Sequence, residues 1–243
     1  LDICKINFLC YNTSMTCENF ILEIPNAFSA EWCDDMIKTF EEHPEMHKDG
    51  GFADIHGNLK VEADRKKDTE IGFDPSFEKH EVWGDKLCFL IEEMAKYINV
   101  YIDKYSFQDN VSDNVNGLAG ISPMIIEADF NMQRFAPSEG FKQWHTETVS
   151  DRNSYRQIVW AIYLNTIKEQ GGTEFKFQNH RCAAEQGKVV MWPAGWTHFH
   201  KSEVAPKETK YIITGWVMYR QTGGSIGMQQ GSMNEPPPFI QMG

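Results

Sequence analysis

The 243-residue sequence has no run approaching the ~18 consecutive apolar residues that a membrane-spanning helix needs, so no membrane association is expected. Positive charge is scarce. Lys and Arg number 23 against 35 Asp and Glu, a formal charge of −12, and no basic run is present. The electrostatic footprint of a nucleic-acid binder is therefore missing, and no nucleic-acid partner is expected. The cysteines Cys4, Cys10, Cys17, Cys33, Cys88 and Cys182 form no C-x-x-C pair and no zinc-ribbon spacing. Their even number permits three disulfides, but a chain of this size can bury enough core without them. Free thiols and a cytoplasmic location are the expectation. The first residues, LDICKINFLCYNTSMTC, lack an initiator Met and are too interrupted to read as a signal peptide. No G-K-[ST] follows Gly171 and Gly172, which are expected to form a turn and not a phosphate cradle. There is no internal repeat and no sharp break in composition, so residues 1–243 are expected to form a single domain.

What is present organises into a helical part followed by strands. Phe20 to Ile24 suits a short strand. Ser29 can cap a helix whose apolar positions Trp32, Cys33, Met36, Ile37 and Phe40 recur at three-and-four spacing. Glu31, Asp34 and Asp35 fall in its first turns, where the helix dipole favours negative charge. Residues 44–82 are polar and rich in Gly, Asp and Lys, and read as loops with one short strand at most. A second helix is predicted from about Gly84 to Tyr105, with Leu87, Leu90, Ile91, Met94, Ala95, Ile98 and Ile102 along one stripe. From Met124 the period changes to two. Segments 124–135, 158–164, 173–177, 188–192 and 210–219 read as strands separated by turns, a mainly β pattern of the jelly-roll type with flanking helices.

One constellation carries chemistry. In WHTE, His145 and Glu147 stand two apart at the end of a predicted strand, so their side chains share a face. His200 follows about fifty residues on, and Lys210 ten residues after that, heading the last strand. Two histidines and a carboxylate on one face of an octahedron leave three open positions, the arrangement of non-haem Fe(II) oxygenases. A 2-oxo acid can take two of them and O₂ the third, with the Lys210 ammonium set to neutralise the far carboxylate of that acid. His198 shares a face with His200 in an extended segment and stands as the alternative ligand.

These residues resemble a known family. QRF (133–135), WHTE (144–147), YLN (163–165), GGTEF (171–175) and the closing H-x₉-K-Y-x₄-W are similar to the prolyl 4-hydroxylase-like branch of the 2-oxoglutarate/Fe(II) dioxygenases, over roughly Met124 to Tyr219. The resemblance implies a double-stranded β-helix, a cupin-like jelly roll, with N-terminal helical support. With the resemblance placing a jelly-roll catalytic core at 124–219, the single domain is expected to hold a helical support region at 18–110 before it and a Gly/Pro-rich tail at 220–243 after it. The resemblance also implies iron on His145, Glu147 and His200, 2-oxoglutarate on Lys210, and O₂ as co-substrate, with ascorbate a candidate reductant. The reaction it implies is hydroxylation of a C–H bond with release of succinate and CO₂.

Two departures stand out. Most relatives carry Asp where this chain has Glu147, and many carry a tyrosine that hydrogen-bonds 2-oxoglutarate where it has Phe135. Tyr163 and Thr214 are the candidates to supply that hydrogen bond. A carboxylate at 147 argues against halogenation, since related halogenases place Gly or Ala there.

The substrate implied by the family is a prolyl or other amino-acid side chain of a peptide or protein. The same chemistry on a free small molecule is the alternative, followed by a metal-binding sensor or interaction module without turnover, and by a hydrolytic zinc enzyme. The remaining histidines, His43, His47, His56, His80 and His180, have no supporting spacing and are expected on the surface or satisfied in the core. Trp160 and Trp216, inside predicted strands, are expected in the core. Arg134, Lys142 and Arg156 are expected as solvated charges, with Arg156 alternatively at the substrate mouth.

Overall fold

The computed structural model describes residues 18–53, 59–105, 124–150 and 153–219. The opening segment with Cys4, Cys10 and Cys17, as well as His56 and the tail 220–243, lies outside the described residues. In chain order the strands are β1 (Leu22–Ile24), β2 (Lys48–Asp49), β3 (Phe52–Ala53), β4 (Leu59–Lys60), β5 (Lys66–Lys67), β6 (Thr69–Phe73), β7 (Met124–Ile126) and β8 (Phe130–Phe135). They continue as β9 (Gly140–Phe141), β10 (Arg156–Tyr163), β11 (Thr173–Phe175), β12 (His180–Cys182), β13 (Val189–Pro193), β14 (His200–Ser202) and β15 (Lys210–Tyr219). The helices are α1 (Ala30–Glu42) and α2 (Gly84–Tyr105).

The expected helices form where the periodicity places them. The Ser29 side chain accepts from the Trp32 backbone N–H at 3.2 Å and starts α1. Cys33, Met36 and Phe40 of α1, and Leu87, Leu90, Ile91, Met94 and Ile98 of α2, are buried against one face of an eight-stranded antiparallel sheet. Tyr101, and not Ile102, closes the buried stripe of α2.

That sheet runs β1-β13-β10-β15-β8-β6-β2, with β7 added beside β15. Its outer face presents Ile71, Met132, Trp160, Ile162 and Ile213 to the helices. Its inner face presents Phe135, Val159, Ala161, Tyr163, Val190, Trp192 and Ile212 to a second core. β10 and β13 are buried on both faces and read as near-continuous apolar runs for that reason. On β15, Gly215 stands where any Cβ would come within 2.1 Å of the Trp160 ring.

A three-stranded sheet, β12-β11-β14, packs Phe175 and Cys182 onto the inner face and completes the double-stranded β-helix. Gly171 and Gly172 enter it as a turn: Gly171 has φ of +79°, and a Cβ on Gly172 would lie 2.1 Å from the Cys182 carbonyl oxygen.

The structure corrects three expectations. Residues 44–82 hold β2 to β6 and two short 3₁₀ turns, and β6 and β2 join the large sheet beside β8. The support region is therefore only partly helical. The alternation in TEIGF is obscured by its polar neighbours. Segment 124–135 breaks at 127–129 into β7 and β8, both of which pair with β15. The short strands β9, β12 and β14 carry too few residues for a period to show.

Candidate active site

His145 lies in no regular strand, contrary to the sequence expectation. It forms an isolated antiparallel bridge with His200, each backbone N–H donating to the other's carbonyl at 3.0 Å. The bridge holds two residues 55 positions apart with their imidazoles 4.3 Å between centroids. Two residues on, the Glu147 N–H donates to the Ala194 carbonyl at 3.2 Å, which turns the carboxylate toward both rings.

Glu147 Oε1 lies 3.5 Å from His145 Nε2 and 3.3 Å from His200 Nε2. Donors sharing an ion with bonds of about 2 Å stand roughly 3 Å apart, so the three atoms fit one metal. Both Nδ1 atoms are 2.9 Å from backbone carbonyls, those of Gln143 and His198. Donation through Nδ1 selects the tautomer whose Nε2 lone pair is free for a metal. Phe141 stacks on His145 at 3.7 Å, and Trp192 sets its edge against His200 at 4.9 Å, so neither ring can swing freely. Burial would raise the Glu147 pKa, but the two imidazoles hold it well below the usual carboxylate range. Burial and the neighbouring His145 lower the His200 pKa and favour its neutral form.

The other oxygen, Oε2, accepts from Trp216 Nε1 at 3.0 Å and lies 3.6 Å from Arg156 Nη1. Arg156 is clamped by Glu127 through Nε at 2.7 Å and Nη2 at 3.0 Å, with its guanidinium 3.5 Å from the Trp216 ring centroid. Sequence reasoning expected Trp216 in the core, against which it packs, and Arg156 as a solvated charge or at the substrate mouth, but missed that the two meet on Glu147. The only signal was the x₄ spacing from Lys210 to Tyr-x₄-Trp, which sets Trp216 on the same strand face as Lys210. Arg134 is also not a free charge: Nη1 is 3.0 Å from both Glu41 carboxylate oxygens.

Lys210 is 2% exposed and has no carboxylate within ion-pair distance among the described residues. Its ammonium donates to Ser202 Oγ and lies 4.8 Å from the centroid of the Phe135 ring. Burial pushes its pKa down to about 7, against the pull of Glu203 and Asp68. A buried ammonium lacking a counter-charge is costly, and suits a site that receives an anion.

Ser202 lies two residues beyond His200 on β14, so one strand presents both the distal imidazole and the partner of the ammonium. Thr214 faces the same side of β15, but its hydroxyl is engaged with Gln133 Oε1 at 3.3 Å, and Gln133 in turn donates to Asp68 at 2.8 Å. Tyr163 is fully buried with its hydroxyl 2.6 Å from Thr173 Oγ1. Both candidates thus face the inner core, and both hydroxyls already have protein partners.

His198 is turned away from the cluster. Its Nε2 is 2.9 Å from the Asn19 carbonyl and its Nδ1 2.9 Å from Thr197 Oγ1, so both nitrogens are taken. Trp196, in the preceding turn, is 76% exposed, while Trp160 and Trp192 are buried and Trp144 faces the Lys201 ammonium at 4.8 Å.

Residues 130–218 match the profile of the 2OG-Fe(II) oxygenase superfamily. No curated protein matches the sequence. Among solved structures, the chain is similar to a Pseudomonas putida prolyl-4-hydroxylase, at 11% identity and TM-score 0.58, over 84% of this chain and 94% of that one. It is also similar to a Trichoplax adhaerens prolyl hydroxylase in complex with a hypoxia inducible factor oxygen degradation domain peptide fragment, at 13% identity and TM-score 0.57, over 82% and 84%. The viral collagen prolyl hydroxylase of Paramecium bursaria Chlorella virus-1 is a third, at 13% identity and TM-score 0.53, over 83% and 97%. At these identities the structural likeness speaks to the fold, the double-stranded β-helix.

Proposed function

We propose, for a chain whose residues 130–218 match the model of the 2OG-Fe(II) oxygenase superfamily, that it is such an oxygenase, that His145, Glu147 and His200 hold one Fe(II) and that Lys210 holds the far carboxylate of 2-oxoglutarate. The observation that supports this most is the convergence of two Nε2 atoms and Glu147 Oε1, with a buried ammonium on the same inner face that no carboxylate among the described residues reaches within ion-pair distance. Iron with 2-oxoglutarate and O₂ supplies oxidation of a C–H bond, with succinate and CO₂ released, and ascorbate belongs to the proposal as an auxiliary reductant.

The chain's own part is positioning and exclusion of water. The backbone bridge His145–His200 fixes the imidazoles, Trp216 and Arg156 fix the carboxylate, and Phe141 and Trp192 shield the rings. Lys210 orients the co-substrate by pairing with one end of it, while Phe135 gives that carboxylate an apolar wall in place of a tyrosine hydroxyl.

The proposed substrate is an amino-acid side chain, prolyl or other, presented on a peptide or protein. Val149, two residues past Glu147, is 45% exposed, and Trp196, two past the carbonyl that holds Glu147, is 76% exposed. Apolar side chains left in solvent beside a recessed site suit a partner larger than a free metabolite. The proposal treats residues 1–243 as a single catalytic domain. It places the protein in a reducing, cytoplasmic setting, for which the free thiols of Cys33, Cys88 and Cys182 are the support. Among the described residues no helix is long and apolar enough to cross a membrane.

A peptide-array screen with succinate release as the readout tests the reading. Turnover that needs Fe(II), 2-oxoglutarate and O₂ together, and rises with particular peptides, supports it. Hydrolysis that continues without O₂ and 2-oxoglutarate contradicts it.

A further inference from the structure

β1 ends one edge of the large sheet and β12 one edge of the small sheet, and three donors of different chemistry meet where those edges approach. His180 Nε2 is 2.9 Å from Glu23 Oε1. The Cys182 thiol lies on the same side, two residues along the strand from His180. One ligand atom from each of the three residues falls within 4.8 Å of the other two. We infer that Glu23, His180 and Cys182 form a second metal site, separate from His145, Glu147 and His200, for a thiophilic divalent cation of the zinc class.

The placement follows from the strands. His180 and Cys182 stand at i and i+2 on β12 and so share a face. Glu23 lies opposite Val190, whose side chain faces the inner core, so it points into the same space from the other sheet. With bonds of about 2.0–2.1 Å to N and O and about 2.3 Å to S, a tetrahedral ion spaces such donors roughly 3.3–3.7 Å apart. The Glu23–His180 contact has to open by under an ångström to admit it.

The second oxygen, Glu23 Oε2, accepts from Lys188 Nζ at 3.0 Å, and the same ammonium lies 3.0 Å from Glu185 Oε1. Lys188 therefore leaves Oε1 as the oxygen turned to the donors, in the manner of the outer contacts that orient metal-binding carboxylates. Ion pairing alone accounts for Glu23 with Lys188 and with His180. It does not account for the Cys182 thiol, at the margin of the inner core, coming within 4.8 Å of both a carboxylate oxygen and an imidazole nitrogen.

Glu23 and His180 keep side-chain exposures of 28% and 31%, which gives the ion an approach and leaves a fourth position for water. On binding, the Cys182 thiol releases its proton to solvent as the sulfur–metal bond forms. No oxidation is involved. An ion here would tie the open edges of the two sheets, so its binding energy would act on closure of the fold.

Sulfur distinguishes this site from the other, whose donors are imidazole and carboxylate only. The metal-free protein, residues 1–243, is titrated with Co(II), whose thiolate complexes absorb in the near ultraviolet by charge transfer. The expected result is two equivalents per chain, one of them raising that band. Cys182→Ser should lose the band and one equivalent. His180→Ala, at a half-exposed position where folding is less at risk, should lose the band at stoichiometric cobalt. His145→Ala should lose the other equivalent and keep the band. A parent protein without the band, or a band that survives both Cys182→Ser and His180→Ala, overturns the inference.

Discussion

Trp216 Nε1 donates to Glu147 Oε2 at 3.0 Å, and so decides which oxygen of that carboxylate faces the two imidazoles. The long arm of Glu147 is held because Trp216 and the Glu127-clamped Arg156 restrain its outer oxygen. Trp216→Phe keeps the ring and the Arg156 stack but removes the donor. Loss of an outer contact to a metal ligand commonly costs ten- to a hundred-fold in metal affinity or activity, and a loss of about that size is expected here. Fe(II) affinity measured beside succinate release checks it. An unchanged iron affinity would show that the indole only fills space.

Lys210 should make co-substrate binding depend on pH. Its folded-state pKa is depressed from 10.5 to about 7 by burial, with Glu203 and Asp68 opposing. Between those two values the unfolded chain binds more protons than the folded one. The cost of burying the charge is thus fully present below about 7 and fades as pH rises toward 10.5. An incoming carboxylate favours the ammonium, so binding of 2-oxoglutarate should take up a proton above neutrality. Its affinity should fall toward ten-fold per pH unit as pH rises through that range. Titrations at several pH values test this, and a flat profile from about pH 6 to 9 is the contrary result.

Lys210→Met separates fold from function at the same position. Replacing a buried charge by an apolar side chain of similar length removes the cost of taking that charge out of water. The variant is expected to melt at a higher temperature than the parent while keeping Fe(II). Its affinity for 2-oxoglutarate should drop by about a hundred-fold or more, since the distal carboxylate would be buried unpaired. A variant that is both less stable and equally tight for 2-oxoglutarate would remove Lys210 from the site.

His198→Ala should leave the iron stoichiometry unchanged. What it removes is the contact with the Asn19 carbonyl and with Thr197, so a cost of roughly 1–2 kcal/mol in stability is expected. Denaturant unfolding and iron analysis of the same sample read the two effects apart. Loss of iron in this variant, with retention in His200→Ala, would transfer the distal ligand to His198.

Much of this site was legible in the sequence for a physical reason. His145 and Glu147 are close in the chain, and His200, Lys210 and Trp216 sit at spacings set by two strands and one turn. The helices were legible because α1 and α2 each bury one stripe against a single sheet. What stayed hidden depends on contacts between distant segments. The Arg156–Glu127 clamp joins residues 29 apart through side chains, and the Glu23–His180 contact joins residues 157 apart. Neither leaves a periodic trace. The strands between residues 44 and 82 were hidden for another reason. Lys66, Asp68 and Glu70 are buried, yet read as surface because their pairing appears only in three dimensions, one ammonium serving two carboxylates, with Lys66 Nζ 2.9 Å from Glu70 and 3.4 Å from Asp68.

The central claim is that one iron bound by His145, Glu147 and His200 chelates 2-oxoglutarate beside Lys210. It is tested most directly by adding 2-oxoglutarate to Fe(II)-loaded protein without O₂ and following the visible charge-transfer absorbance that chelation of a 2-oxo acid by iron produces. The account predicts that the parent develops the band with one equivalent of iron. His145→Ala, Glu147→Ala and His200→Ala should fail to develop it at the same iron concentration. Lys210→Met should develop it only at 2-oxoglutarate concentrations about a hundred-fold higher. A band of full intensity in His200→Ala or Glu147→Ala, or none in the iron-loaded parent, would contradict the account.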